Sequence, residues 1–144
     1  MSSELPIGAP PAGPVADVLA ANQAFYDAHE AADLDAMDHV WEHSERVVCV
    51  HPGWPILRTW PTVRGSWERI LNGPGRNQFI LTNLAVSIDG RTAMVTLEEN
   101  LIASGPGGAG TGTIAATNVF VQRPTPDGDR WLLIAHHGSP VMQR

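Results

Sequence analysis

The chemistry-bearing residues of this 144-residue sequence are a set of histidines and a few polar side chains inside apolar runs. His51 ends the β-branched run Arg46–His51 and is followed at once by Pro52-Gly53, so an imidazole sits where a strand gives way to a loop. Alternation puts it on one face with Val47 and Cys49. An imidazole of ordinary pKa, about 6.5, suits proton transfer near neutrality. The plainer alternative is a histidine hydrogen-bonded to loop backbone. Asn118 interrupts the apolar face Ile114, Ala116, Phe120. A buried amide without partners costs about 1–3 kcal/mol, so Asn118 either donates to a ligand oxygen or ties neighbouring strands together, the second being the commoner arrangement.

His136 and His137 are consecutive in a strand and point to opposite faces, one inward and one outward. In Glu98-Glu99-Asn100, Glu98 and Asn100 share one face and Glu99 takes the other. Such a carboxylate is either an acid/base group with a raised pKa or half of a cross-strand ion pair with an arginine, and the ion pair is the preferred reading. Histidines also raise a metal reading. Consecutive strand residues do not readily ligate one interior ion, however, and neither Cys-x-x-Cys nor His-Glu-x-x-His spacing occurs. No metal and no cofactor are expected. His29, His39 and His43 fall on helices or helix ends beside acidic neighbours and read as solvated or capping. Trp67 and Trp131 fit core positions, whereas Trp54, between Gly53 and Pro55, reads as a pocket rim. Arg58 and Arg64 either steer an anion or pair with the acidic surface.

Positioning these groups requires a definite order of elements. Residues 1–13, rich in Pro and Gly, read as a mobile tail, because that composition cannot bury enough apolar area to offset ordering entropy. From Pro14, Val15, Val18, Leu19, Asn22, Phe25, Tyr26 and His29 recur at helical spacing to about Ala32. Asp33 caps a shorter helix carrying Leu34, Met37, Val40 and Trp41. After the His51 strand and a Trp- and Pro-rich loop, Pro61 opens a third helix with Val63, Trp67, Ile70 and Leu71 on its apolar side, stopped by Asn72-Gly73-Pro74-Gly75. The remainder reads as strands over Gln78–Ile88, Thr92–Ala103, Thr111–Gln122 and Arg130–His137. Asp89-Gly90 signals a tight hairpin, and Gly105–Gly110 and Pro124–Asp129 make the other turns. Strands this long should carry bulges. Helices ahead of a meander indicate an α+β fold, a curved antiparallel sheet packed on one face by three helices of the N-terminal half.

Composition narrows the function classes. A net charge of −6 without a Lys/Arg run argues against binding a phosphate backbone. A lone cysteine, Cys49, excludes a disulfide-built fold. Met1–Pro6 has neither a basic start nor an apolar stretch, and no run approaches a membrane span, so a cytoplasmic, membrane-free protein is expected. The 144 residues suit a single domain over 14–144.

Several segments carry a resemblance: Ala32-Asp33-Leu34-Asp35-Ala36-Met37, Val48-Cys49-Val50-His51-Pro52-Gly53, Arg58 followed by Val63-Arg64-Gly65-Ser66-Trp67, Ala116-Thr117-Asn118-Val119-Phe120, and Trp131 with His136-His137-Gly138-Ser139-Pro140. In this order they resemble the nuclear-transport-factor-2-like superfamily, in its SnoaL-like and ketosteroid-isomerase-like branch, over about residues 15–141. The resemblance implies a cone-shaped sheet whose open end is a pocket, and a homodimer formed through the sheet's outer face. It implies no single activity. In the isomerases the position resembling His51 carries a proton-shuttling Asp, and the position resembling Asn118 carries a protonated Asp that donates to an oxyanion. Their oxyanion-hole tyrosine is replaced here by Phe25, with Tyr26 about 100° away around the helix, so steroid isomerisation is not expected.

The function expected from these residues is a SnoaL-like small-molecule pocket. His51 relays a proton, Asn118 binds a substrate oxygen, and Phe25, Trp54, Ile114, Phe120 and the inward one of His136 and His137 line the pocket. The ligand is apolar or aromatic with a carbonyl or hydroxyl, and the reaction an isomerisation, cyclisation or dehydration. The alternative is a non-catalytic ligand-binding or dimerisation module of the same fold.

Overall fold

The computed structural model describes residues 2–3 and 13–142. Its elements are β1 (Ser2–Ser3), α1 (Gly13–Ala31), α2 (Leu34–Val40), β2 (Val48–Val50), β3 (Leu57–Arg58), α3 (Trp60–Leu71), β4 (Arg76–Asp89), β5 (Thr92–Gly105), β6 (Gly108–Thr125) and β7 (Gly128–Pro140). Ser2–Ser3 pairs with Ser87 and Val86 of β4, while the rest of the expected tail, residues 4–12, lies outside the described residues. No helix among the described residues is long and apolar enough to cross a membrane.

Helix α1 buries Val18, Asn22, Phe25 and Tyr26, at i, i+4, i+7 and i+8, which is one face of a 3.6-residue period. It stops at Ala32, which takes φ 52°, and Asp33 then caps α2 by accepting from the Ala36 N–H at 3.0 Å. Helix α3 buries Val63, Ser66, Trp67 and Leu71. Beside the helices, Glu42 accepts from Arg46 Nε at 2.7 Å and Arg123 Nε at 2.9 Å, which pins the segment leading to β2 against β6.

The sheet has seven strands in the order β1-β4-β5-β6-β7-β2-β3. It is curved, unclosed and mixed. Strands β4 to β7 form the expected antiparallel meander, but β2 runs parallel to β7, with Cys49 opposite His136 and Val50 opposite His137. A hairpin forces antiparallel pairing; no hairpin joins β2 to β7, so the connection leaves either direction open to it. Asp89 pairs with Thr92 around Gly90, whose φ of 59° the tight turn requires. The Gly105–Gly110 segment is mostly strand, with Gly105 opposite Gly108 and Gly110 opposite Ala103. Glycine keeps its N–H and C=O, so the ladder continues through residues that read as a loop. Leu57–Arg58, also expected as loop, pairs with β2.

Two of the three long hairpins contain a register shift, β4–β5 at Thr82/Ala85 and β6–β7 at Val119/Phe120. The second decides the site. Phe120 faces Leu133 while Val119 faces Ala135, so Ile134 is the extra residue of a bulge in β7. Trp131 and Leu133 point to the core; without the bulge Ala135 and His137 would follow them. With it, His136 and Gly138 do. The concave face, lined by Val95, Leu97, Glu99, Ala116, Asn118, Phe120 and Leu133, packs against α1 and α3, and the convex face leaves Ile80, Met94 and Ile102 exposed.

Candidate active site

Between α1, α3 and the concave face lies a cavity of about 150 Å³. Phe25, Trp54, Trp67, Phe79, Leu101 and Ile114 make its apolar walls, and His29, His51, Asn77, Glu99 and His136 its polar ones.

His51 leaves the end of β2 next to β7, 4% exposed. Its Nε2 lies 2.8 Å from Ser66 Oγ, and Ser66 spends its own hydrogen on the Val63 carbonyl at 2.6 Å. Ser66 therefore accepts, Nε2 carries the proton, and Nδ1 keeps the lone pair. Trp54 and Trp67 meet the ring edge-on, at centroid distances of 4.8 and 4.7 Å. Burial, and secondly the Arg69 charge, lower the His51 pKa to about 4, so the resting imidazole is neutral. Arg69 also sits 5.6 Å over the Trp54 ring at the half-open rim.

His136 is held from behind. Its Nδ1 is 2.5 Å from Asn118 Oδ1, while the Asn118 amide N–H groups donate to Asn22 Oδ1 at 2.9 Å and to the Tyr26 hydroxyl at 3.1 Å. Tyr26 in turn donates to Glu99 Oε2 at 2.5 Å. Burial first, then the neighbouring imidazoles, keep His136 neutral, with a pKa lowered to about 3. Burial raises Glu99 to about 7, against the opposing hydrogen bond from Tyr26. Burial and the Glu99 charge together push the Tyr26 phenol far above its usual range.

The expected site residues are thus brought together unequally. His51, His136, Phe25, Trp54 and Ile114 reach the cavity. Asn118 and Phe120 do not: both are fully buried behind its wall, and Asn118 spends its polar atoms on protein partners. His137 is on the convex face, beside an open groove of about 650 Å³ that it shares with Glu98 and Asn83. Its exclusion follows from the bulge at Ile134. Among the described residues no arginine pairs with Glu99; it bonds Tyr26 and lines the cavity, in place of the expected cross-strand ion pair. Tyr26, 1% exposed, joins the buried network and not the cavity. Arg64 pairs with Asp38 at 3.0 Å and Glu68 at 3.4 Å.

His29, expected to be solvated or capping, is instead a wall of the cavity. Its Nε2 lies 3.0 Å from Asn77 Nδ2, and burial lowers its pKa to about 4. The signal was present, since His29 follows Phe25 by one helical turn and so shares its face. Trp67 serves both core and cavity, touching His29, His51 and Phe25 edge-on. Among the described residues no group of three His, Cys, Asp or Glu is disposed to hold a metal ion.

The sequence profile of the SnoaL-like domain matches residues 18–143. A candidate dehydratase of the NTF2-like family from Streptomyces avermitilis is 38% identical, with a TM-score of 0.79 over 90% of this chain and 97% of that one. A candidate calcium/calmodulin-dependent protein kinase type II association domain from Thiobacillus denitrificans is 30% identical, with a TM-score of 0.71 over 86% and 94% of the two chains. The CaMKII hub of S. rosetta, at 24% identity and a TM-score of 0.75 over 91% and 99%, shares the fold. F-box protein SKIP8 of Arabidopsis thaliana is 25% identical over 87% of this chain, which spans about half, 50%, of that relative's length. The chain belongs to the SnoaL-like domain family of the NTF2-like superfamily.

Proposed function

We propose that the chain is an acid/base enzyme acting on a compact, largely apolar compound that bears a hydroxyl or carbonyl, and that it eliminates water. One observation carries the reading: a carboxyl that titrates near 7, Glu99, shares a small apolar cavity with two neutral imidazoles, His51 and His136. Elimination needs a base for a C–H proton beside a carbonyl and an acid for the departing hydroxyl. His51 is the proton relay, because Ser66 holds Nε2–H and leaves Nδ1 to accept. Burial makes the resting imidazole a weak base, but an enolate forming beside it stabilises the imidazolium and restores its basicity. Glu99 in its acid form donates its proton to the substrate's departing hydroxyl, which leaves as water while Glu99 becomes the carboxylate. The likeness to the candidate dehydratase from Streptomyces avermitilis favours elimination over isomerisation or cyclisation, which begin with the same proton abstraction. The test is turnover of small β-hydroxy ketones, followed by the absorbance of the conjugated product. Wild type is expected to convert at least one of them, with the rate in His51→Gln falling by about 100-fold or more while the melting temperature holds. Saturable binding without turnover would overturn the reading.

The second reading, a binding and assembly module, draws on the hub- and association-domain neighbours and on the exposed Ile80, Met94 and Ile102 of the convex face. A second copy packed on that face would cover them. Light scattering on wild type and on Met94→Lys is expected to give a dimer and a monomer; a wild-type monomer would remove this partner.

A further inference from the structure

We infer that the cavity recognises its ligand through a hydroxyl group that donates to His136 Nε2, with Asn118 as the positioning residue that keeps this nitrogen unprotonated. The inference rests on the cavity being the ligand site, as proposed above.

The direction of each hydrogen bond fixes the argument. Asn118 uses both amide hydrogens, one on Asn22 Oδ1 and one on the Tyr26 hydroxyl. Its Oδ1 can then only accept, so His136 Nδ1 must be the N–H and Nε2 the lone pair. The Tyr26 hydroxyl cannot reverse this chain, because its hydrogen is committed to Glu99 Oε2. The other imidazoles are spoken for differently. His29 Nε2 accepts from Asn77, and His51 Nε2 donates to Ser66, so His51 Nδ1 carries a second lone pair, with the buried Cys49 thiol 3.8 Å from it. When Glu99 is ionised its free oxygen, Oε1, is an acceptor too.

At pH 8 the imidazole lone pairs and the Glu99 carboxylate offer acceptors, which favours a ligand with a hydrogen to give, while the Trp67 indole N–H in the same wall is buried without a partner among the described residues. A ketone, ether or hydrocarbon of the right shape would leave these imidazole nitrogens unpaired, which is the arrangement a buried site rejects most strongly. A volume of about 150 Å³ between Phe25, Trp54 and Trp67 is comparable to a cavity known to hold benzene. The ligand class is therefore a compact hydroxyl compound, the small β-hydroxy ketone of the proposed reaction included, and a one-ring phenol is a non-reacting probe of the same contact.

Isothermal titration at pH 8, where Glu99 is ionised, tests this with phenol, toluene and benzaldehyde as probes. The groups facing Glu99 there are Tyr26 and His29 from α1, His51 from the end of β2 and His136 from β7. Phenol is expected to bind tighter than either of the others. In His136→Phe the phenol-to-toluene affinity ratio should fall by about tenfold while toluene still binds. Nitrogen-15 spectra of the wild type should show His136 protonated at Nδ1, with Nε2 shifting as phenol is added; Asn118→Leu should lose that single tautomer. Those spectra need no variant, so the inference remains testable if a substitution prevents folding. Equal affinity for phenol and toluene, a ratio unchanged in His136→Phe but lost in Glu99→Gln, or a protonated Nε2 would overturn the inference and leave the cavity standing. Failure of all three probes to bind would overturn the cavity reading itself.

Discussion

The hydroxyl of Tyr26, on α1, donates to Glu99 Oε2, on β5, at 2.5 Å between residues 73 apart in sequence. Both residues are buried, and Asn118 donates to the same hydroxyl at 3.1 Å. The bond favours the ionised carboxylate and burial opposes it, so Glu99 settles at about 7, where one carboxyl is available as both acid and base.

Removing that hydroxyl should act on both partners. Tyr26→Phe takes away the one contact that lowers the Glu99 pKa, so the carboxyl should titrate above its present value of about 7. It also leaves an Asn118 N–H short of an acceptor, at a cost of about 1–3 kcal/mol. Carbon-13 titration of the Glu99 carboxyl and urea unfolding measure the two effects; an unmoved titration would mean the bond is not made in solution.

Ser66→Ala deletes the acceptor of His51 Nε2–H and the donor to the Val63 carbonyl, both within a fully buried spot. Stability should fall by about 1–3 kcal/mol, and His51 should lose its single tautomer. Nitrogen-15 spectra showing the same tautomer in the variant would disconnect Ser66 from His51.

Stability should rise with pH between about 4 and 6.5. His29, His51 and His136 have folded pKa values of about 4, 4 and 3, below the ordinary 6.5, so in this window the unfolded chain takes up protons that the folded chain does not. Glu99 works in the opposite sense: raised from 4.5 to about 7, it holds a proton in the folded state that the unfolded chain gives up as pH climbs. Each group contributes a slope of up to about 1.4 kcal/mol per pH unit, and three histidines outweigh one carboxyl. Urea midpoints across pH 4 to 8 should climb and then level off; a falling limb from 4 to 6.5 would show the imidazoles charged in the folded protein.

Cys49 is fully buried, and burial pushes its thiol well above the usual range. Its modification by a disulfide reagent should proceed only as fast as the protein opens, and urea should accelerate it. Immediate stoichiometric labelling of the native protein would contradict that burial.

Gly138 faces the cavity's back wall, where an added Cβ would lie 3.0 Å from Ile114 Cγ2 and 3.3 Å from Pro52 Cγ. Gly138→Ala should cost about 1–3 kcal/mol by overpacking and should move Ile114, a cavity wall, reducing probe affinity along with stability. A variant as stable as wild type would show that Ile114 yields freely.

The sequence by itself determined the order of elements, because helix and strand periods are local: Val18, Asn22, Phe25 and Tyr26 declare their face, and Asp89-Gly90 declares its turn. It also determined that Glu99 opposes Glu98 and that His51 stands at a strand end beside a Pro-Gly break. What it left open rests on pairing between distant segments. One extra residue, Ile134, turns His136 inward and His137 outward, and that bulge exists only against β6. The parallel run of β2 beside β7 brings His51 to His136, and no hairpin links them to announce it. Asn118 lies on β6, the strand next to Glu99's β5, yet only the docking of α1 inserts Tyr26 between them, so a residue expected to contact a ligand spends its polar atoms on protein partners. Local spacing fixes which way a side chain points from its own backbone; what it meets there is decided by the strand or helix packed opposite.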